Sequence, residues 1–176
     1  MDPLLVLVSG PPGSGKTKLA RRLASDLEIP LLTKDTIKEA LGRTLAVDSL
    51  ERSRALGAAS ADALFALTAL QLDLGIPVVV DHAFHQDLAD LVVPLVERST
   101  ARLVHCHAPR AILTERVFAR QAQGERDPVH VDGDRVIDWD RYEPMELFDV
   151  PVLLVETSDG YRPDYPTVLS FVEGTG

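Results

Sequence analysis

Short apolar runs alternate along the chain with longer segments in which apolar residues recur every three to four positions. The apolar runs predict buried strands at residues 4–9, 29–32, 76–81, 101–107 and 150–157. The helical spacing predicts helices over 16–27, 35–42, 48–74 (one long helix or two in sequence), 86–98 with a kink at Pro94, 110–122 and 165–173. Strands that are apolar on both faces and alternate with helices indicate a parallel sheet covered on both sides. We therefore expect a three-layer α/β sandwich.

Length and charge narrow this expectation. The 176 residues suit one domain spanning 1–176, and residues 121–149, which carry many charges and few core positions, indicate an excursion from it. The formal net charge of -9 repels phosphate backbones and disfavours nucleic acid as a partner. The single cysteine, Cys106, has an apolar flank that predicts a buried, inert thiol. No apolar run reaches the roughly 20 residues that a membrane span needs, so we expect a cytoplasmic protein without a membrane partner.

One glycine-rich stretch carries the most specific signal. The octapeptide GPPGSGKT fits the pattern G-x-x-x-x-G-K-[ST] completely, with a predicted strand before it and a helix after it. Glycines let the backbone turn its N–H groups toward one anion, and the following helix points its positive end at the same anion. Lys16 can reach the β- and γ-phosphates, and Thr17 offers a hydroxyl ligand to Mg²⁺. The alternative is a glycine-rich turn with a chance GKT. The pattern predicts a nucleoside-triphosphate cradle formed by Gly10, Pro11, Pro12, Gly13, Ser14, Gly15, Lys16 and Thr17.

Two carboxylates follow predicted strands. Asp81 ends the run VVVD and can hold Mg²⁺ across from Thr17, directly or through water, although a strand-end carboxylate can also cap a loop. Asp35 follows the second strand, where it can accept the proton of an acceptor hydroxyl and align that hydroxyl on the γ-phosphate. The competing interpretation is a helix start, because Thr33, Asp35 and Thr36 are all good caps and Thr36 with Glu39 spells a capping box.

Arginines are concentrated beside the charged excursion. Arg116 and Arg120 share one helix face, and Arg126 follows with a weaker claim. In an acidic protein this concentration predicts a lid, approximately residues 110–135, that closes on the phosphates and stabilises the transferring charge. The alternative is a solvated helix face paired with neighbouring glutamates.

The remaining candidates follow the third and fifth strands. His82 and His85 come just after Asp81 and can contact the acceptor, although ordinary loop histidines fit the pattern equally well. As a zinc pair they lack further ligands nearby. Thr157 follows the last strand, at a position where a loop can lie beside the nucleobase.

The chain carries, in this order, the segments GPPGSGKT, TKDTIKEAL, VVVDHAFH, RVFARQAQGER and LLVETSDG. In this respect it resembles small P-loop kinases, and in particular the kinase-like AAA-type ATPase domains that include the kinase half of polynucleotide kinases, chloramphenicol phosphotransferase and zeta-toxin-like kinases. The resemblance implies a five-stranded parallel sheet of order 2-3-1-4-5, with ATP and Mg²⁺ as cofactors. It implies that Asp35 is the general base and that Arg116 and Arg120 are lid arginines. It does not fix the acceptor.

Three functions are open at this point. The leading one is ATP-dependent transfer of the γ-phosphoryl group to a hydroxyl of a small molecule, such as a metabolite, a nucleoside or an antibiotic. The second is a regulatory NTPase switch that binds a protein, although Asp35 and the arginines make better sense with an acceptor than with water. The third is a 5′-hydroxyl polynucleotide kinase, which the acidic charge disfavours.

Overall fold

The computed structural model describes residues 2–124, 127–130, 137–147 and 149–175. Its strands are β1 (Leu4–Ser9), β2 (Leu31–Thr33), β3 (Val78–Asp81), β4 (Thr100–His107) and β5 (Val152–Glu156). All neighbouring strands are parallel, and their order is β2-β3-β1-β4-β5. The predicted fold class and strand order are therefore confirmed.

Helices connect the strands and cover both faces of the sheet. They are α1 (Lys16–Asp26), α2 (Lys34–Gly42), α3 (Leu50–Asp73), α4 (Ala89–Val96), α5 (Arg110–Ala122) and α6 (Tyr165–Glu173). Helix α3 is continuous, so the predicted segment 48–74 forms one helix. The predicted helix 86–98 is wrong in its first turn, because residues Gln86–Leu88 form a 3₁₀ turn and α4 begins only after it. Pro94 lies inside α4.

Strand β2 begins two residues later than the apolar run indicates. Glu28 adopts a left-handed φ of 55° after the end of α1. The N–H of Ile29 then donates to the carbonyl of Ala24 at 3.1 Å. Because this N–H closes the helix end, Ile29 belongs to the turn and the strand starts at Leu31.

The core has two halves, one on each side of the sheet. Leu5 and Leu7 of β1 pack with residues of α3 and α4, including Leu64. Val6 and Val8 of the same strand pack in the second cluster, with residues of α1 and α6. These four β1 side chains are fully buried, which explains why the strand is apolar from Leu4 to Val8.

Helix α3 is long and apolar enough to cross a membrane if only length and composition are considered, alone among the described helices. In the structure its residues Leu64, Phe65 and Leu72 are buried in the same core cluster as β1. These three apolar side chains pack toward the sheet, whereas Leu67 and Leu70 of the same helix are exposed.

The strand register brings the candidate site together. Val8 of β1 and Thr33 of β2 both pair with Asp81 on β3. The carboxyl ends of parallel strands meet at one edge of the sheet, which is where α/β proteins bind ligands. The glycine-rich loop leaves β1 at this edge, and Asp35 follows β2 there.

Candidate functional site

The glycine-rich loop needs glycine at positions where the backbone passes other backbone closely. Gly10 has a φ of 138°, and a Cβ there would lie 2.2 Å from the carbonyl oxygen of Cys106. Gly13 has a φ of 81°, and its Cβ would lie 2.8 Å from the carbonyl oxygen of Leu113. Gly15 also has a positive φ, of 78°, but a Cβ would meet nothing within 4 Å. The loop is thus held tightly between β4 and α5 at its start and is open where α1 begins.

The start of α1 is arranged for an anion. Gly15 is the N-cap residue and provides no side chain to cap the first N–H groups. The first turn contains no acidic residue, and Lys16 is its first residue. Because the N-terminal N–H groups of a helix have no intrahelical acceptor and carry partial positive charge, they favour a phosphate here. Within the loop, Ser14 N–H donates to the carbonyl of Pro11 at 3.2 Å, which forms a turn over Pro12.

Asp81 and Thr17 lie at the position predicted for Mg²⁺. Asp81 is 5% exposed, and its Oδ1 has no hydrogen-bond partner among the described residues. The Thr17 hydroxyl lies beside the same carboxylate, and Lys16 lies within electrostatic reach of it. Burial raises the pKa of Asp81 more than Lys16 and Thr17 lower it. A buried carboxylate oxygen without a partner, next to a hydroxyl, fits Mg²⁺, which binds through one or two carboxylates and substrate phosphates.

Asp35 lies in the first turn of α2 but does not cap the helix. The N-cap is Thr33, whose Oγ1 accepts a hydrogen bond from the Thr36 N–H at 3.2 Å. The capping box that begins at Thr36 is therefore wrong, and the Asp35 carboxylate is available at the crevice. Its side chain is 64% exposed and lies 3.4 Å from Lys34 Nζ. Burial raises its pKa, but Lys34, His130 and Lys16 together hold it below its ordinary value, so Asp35 stays ionised.

The two candidate histidines have different surroundings. The His82 ring packs against Phe84, with ring centroids 5.4 Å apart. Burial and the charges of Lys34 and Lys16 lower its pKa to about 3, so His82 is a neutral group near Asp35. His85 Nδ1 instead lies 3.4 Å from Asp87. The structure therefore places His82 near Asp35, and a contact of His85 with the acceptor stays a prediction.

Arg116 and Thr157 both contact the backbone of the glycine-rich loop. The Arg116 guanidinium donates to the carbonyl of Gly13 at 3.2 Å and to the carbonyls of Thr157 and Ser158 at 2.8 and 3.0 Å. The Thr157 Oγ1 lies 2.8 Å from the carbonyl oxygen of Ser14. These contacts tie the loop to the end of β5. Direct contacts of Arg116 and Thr157 with the nucleotide stay predictions.

The structure describes some of the other residues of the predicted lid. Arg120 is exposed one turn after Arg116 on α5, and its predicted contact with phosphate stays a prediction. Arg126 lies outside the described residues. Val129 is buried, and its carbonyl accepts a hydrogen bond from Ser53 Oγ of α3 at 2.7 Å. A Cβ on Gly42 would lie 2.4 Å from Val129 Cγ2, so α2 approaches this segment closely.

Lys38 of α2 is a charged residue that the structure buries. Lys38 is only 5% exposed, and its Nζ donates to Ser53 Oγ at 2.8 Å. The available signal is its spacing, since Lys38 lies four residues after Lys34 and therefore on the same helix face.

A family model described as an AAA domain matches residues 5–143, which is most of the chain. The chain belongs to this family. Among solved structures, a putative kinase from Chloroflexus aurantiacus J-10-fl is 30% identical, with both chains covered in full and a TM-score of 0.86. The chain is therefore a member of a small P-loop kinase family.

More distant relatives share the fold or a short segment. A gluconokinase from Sinorhizobium meliloti 1021 is 16% identical, with 98% of this chain and 93% of that chain covered and a TM-score of 0.61. A shikimate kinase from Rhodococcus jostii is 51% identical over 47 residues, which are 26% of this chain and 27% of that protein. A cytidylate kinase from Pyrobaculum arsenaticum is 42% identical over 48 residues, 27% of this chain and 26% of that protein. The matches thus span about a quarter of the length of these curated relatives.

Proposed function

We propose that this protein is an ATP-dependent kinase that transfers the γ-phosphoryl group to a hydroxyl of a small-molecule acceptor. The observation that carries the proposal is the position of Asp35. Its ionised carboxylate lies within electrostatic reach of both Lys16 of the glycine-rich loop and Asp81 at the end of β3. A carboxylate there can align a hydroxyl on a phosphate held by the loop.

The residues divide the reaction between them. The loop amides and Lys16 bind the β- and γ-phosphates, and Arg116 positions the loop through its carbonyls. Thr17 and Asp81 would hold Mg²⁺, which when bound neutralises charge on the phosphates. Asp35 accepts the proton of the acceptor hydroxyl while the oxygen of that hydroxyl forms a bond to the γ-phosphorus. The bond from the γ-phosphorus to the bridging oxygen breaks, and ADP leaves with that electron pair.

Two further observations support a small acceptor. The relatives named gluconokinase and shikimate kinase act on small molecules, and the name cytidylate kinase indicates a nucleotide as a second acceptor class. The formal charge of -9 works against an extended polyanion as acceptor.

The lone cysteine, Cys106, is fully buried, which suits a cytoplasmic location.

The test is a phosphoryl-transfer screen. Protein, Mg²⁺ and γ-labelled ATP are incubated with separate pools of sugars, hydroxy acids, nucleosides, nucleoside monophosphates, hydroxylated antibiotics and 5′-hydroxyl oligonucleotides, next to a tube without acceptor. We expect label in a small-molecule pool, and none with Lys16→Ala. Label released as free phosphate equally in every tube would instead indicate the NTPase switch, and label in the oligonucleotides alone a polynucleotide kinase.

A further inference from the structure

Helix α2 carries the proposed base but has little apolar anchorage. All nine of its residues lie in the part of the chain that the structure describes, and the one that is buried is Lys38. Ile37 is only partly buried against the core, whereas α1 buries four apolar residues. Because a nine-residue helix is too short to be stable in isolation, the position of α2 depends on the contacts that its neighbours supply.

A turn at residues 127–130 supplies several of these contacts. Its sequence, DPVH, has aspartate first and proline second, which favours a tight turn. The N–H of His130 donates to the Asp127 carbonyl at 3.0 Å, and the N–H of Val129 donates to Asp127 Oδ1 at 2.9 Å. The turn is therefore closed by its own residues, and we call it the Val129 turn.

The Val129 turn docks between α2 and α3. Val129 is 4% exposed, and its carbonyl accepts a hydrogen bond from Ser53 Oγ of α3 at 2.7 Å. The same Ser53 Oγ accepts a hydrogen bond from Lys38 Nζ of α2 at 2.8 Å. Ser53 thus connects the buried lysine of α2 to the backbone of the turn. Losing the Ser53 hydroxyl would leave a buried carbonyl and a buried ammonium each short of a hydrogen bond, which is costly.

Two further contacts join the turn to α2 directly. A Cβ built on Gly42 would lie 2.4 Å from Val129 Cγ2 and 2.9 Å from Val129 Cβ, so Val129 occupies the space that a side chain at position 42 would need. The φ of Gly42 is not in the left-handed region, so the backbone conformation itself does not require glycine. His130 Nε2 lies 3.3 Å from Glu39 Oε1, and the His130 side chain is 7% exposed.

Asp35 lies one helical turn before these contacts. Positions 35, 38, 39 and 42 are three or four residues apart and therefore share one side of the helix. The charge of His130 acts on the Asp35 carboxylate more strongly than that of Lys16 does, in keeping with this proximity. A shift of α2 away from the turn would move the carboxylate that has to meet the acceptor hydroxyl. A misplacement of about 1 Å can cost about 100-fold in rate.

We propose that Val129, Lys38 and Ser53 are positioning residues for Asp35. The Val129 turn holds α2 against α3, and α2 in turn holds the Asp35 carboxylate where the acceptor hydroxyl binds, so this inference rests on the proposed function. The three residues act through Asp35 and not on the substrates. Part of the segment predicted to close on the phosphates thereby serves the acceptor side of the reaction.

Amide hydrogen exchange of the nucleotide-free protein tests the docking without catalysis. Gly42→Ala adds a methyl group that displaces Val129, whereas Gly57→Ala adds one to α3, where the nearest atoms would lie at ordinary distances of 3.8–4.0 Å. Since alanine has the higher helix propensity, Gly42→Ala by itself would protect the α2 amides. We expect instead that their protection factors fall at least about tenfold in Gly42→Ala and are unchanged in Gly57→Ala. Unchanged or higher protection in Gly42→Ala would overturn the proposal.

A second variant reaches the same contact from α3. Ser53→Ala removes the hydroxyl between Lys38 and the Val129 carbonyl and adds no bulk. It should lower the protection of the α2 amides as Gly42→Ala does, and it decides the question if Gly42→Ala does not fold. Thermal melts establish which variants are folded. Wild-type protection of α2 in folded Ser53→Ala would also overturn the proposal.

Kinetics with the acceptor found in the screen then show whether the docking acts through Asp35. The kcat of Gly42→Ala should fall at least about tenfold while the KM for ATP stays unchanged, and Gly57→Ala should keep the wild-type kcat. In an Asp35→Asn background, Gly42→Ala should lower the residual rate no further, because changes that act through one group are not additive. An equal fall in both backgrounds, or a wild-type kcat in Gly42→Ala, would overturn the proposal and leave the kinase function standing. If no acceptor takes label although the protection of α2 falls, the kinase function fails and the docking of α2 by the Val129 turn stands.

Discussion

Replacing Asp81 with asparagine should make the metal-free protein more stable and the enzyme inactive. Asp81 is buried, one carboxylate oxygen has no partner among the described residues, and burial raises its pKa. In the absence of Mg²⁺ the charge of Asp81 therefore costs folding free energy. Asparagine keeps the size of the side chain and an oxygen for the Thr17 hydroxyl, but it removes the charge that Mg²⁺ requires.

The expected gain is on the order of 1 kcal/mol, the usual size of a single stabilising substitution. For a domain of 176 residues this corresponds to a rise in Tm of roughly 2–4 °C, measured by calorimetry in EDTA. A group with a raised folded pKa destabilises the protein most when it is ionised, so stability from this group falls as pH rises through the folded pKa. The difference in Tm between Asp81→Asn and the wild type should accordingly become smaller as the pH falls toward 3.8, the ordinary pKa of Asp.

Asp35→Asn is the matched control. This carboxylate is 64% exposed and paired with Lys34, and its pKa is lowered. Its stabilising contribution is present above the unfolded pKa and is lost as pH falls through the folded pKa. Asparagine at this position should leave stability unchanged or reduce it by less than about 1 kcal/mol. A lower Tm for Asp81→Asn than for the wild type in EDTA would refute the reasoning, because the buried carboxylate would then be satisfied without metal.

Three further predictions concern the loop and its neighbours. Gly10→Ala should lower the free energy of unfolding in urea by more than about 3 kcal/mol, because the added Cβ would lie 2.2 Å from a backbone oxygen. At Gly15 an added Cβ meets no atom within 4 Å, so Gly15→Ala should lower it by only about 1–2 kcal/mol, from φ strain. Equal losses in the two variants would contradict the clash at Gly10. Arg116→Ala removes three hydrogen bonds to backbone carbonyls, so its Tm should fall and its Kd for AMPPNP should rise about tenfold. Arg120→Ala, the control, should keep the wild-type Tm. Unchanged AMPPNP binding in Arg116→Ala would contradict the role of Arg116 in positioning the loop. Burial raises the pKa of Cys106 to about 12, so iodoacetamide at pH 8 should label only the unfolded protein; labelling of the native protein would show that the thiol is accessible.

Local patterns were sufficient for much of the fold. Strand β3 is apolar at every position before Asp81 because it is buried on both faces, and such runs are visible in a sequence. The glycine-rich loop is recognisable because its φ values and close contacts demand glycine at fixed spacing. The start of β2 was misplaced because it depends on how α1 ends, where the Ile29 N–H bonds to Ala24.

The candidate site was predictable only where topology alone brings residues together. Asp81 and Thr17 follow neighbouring strands, so a parallel sheet places them at one edge. The hydrogen bond between Lys38 of α2 and Ser53 of α3 depends instead on how the two helices pack, which sequence spacing does not determine. Arg116 was predicted as a phosphate contact, but no local pattern indicates that its guanidinium donates to three backbone carbonyls.

The most direct test of the account compares nucleotide binding with phosphoryl transfer in Asp35→Asn. The dissociation constant for AMPPNP with Mg²⁺ is measured by calorimetry, and the rate of label transfer to the acceptor found in the screen is measured at saturating ATP. We expect that nucleotide affinity is unchanged and that the rate falls about 10²- to 10⁴-fold, as for loss of a general base. A variant that loses nucleotide affinity but keeps the wild-type rate would contradict it, because Asp35 would then serve the nucleotide and not the acceptor.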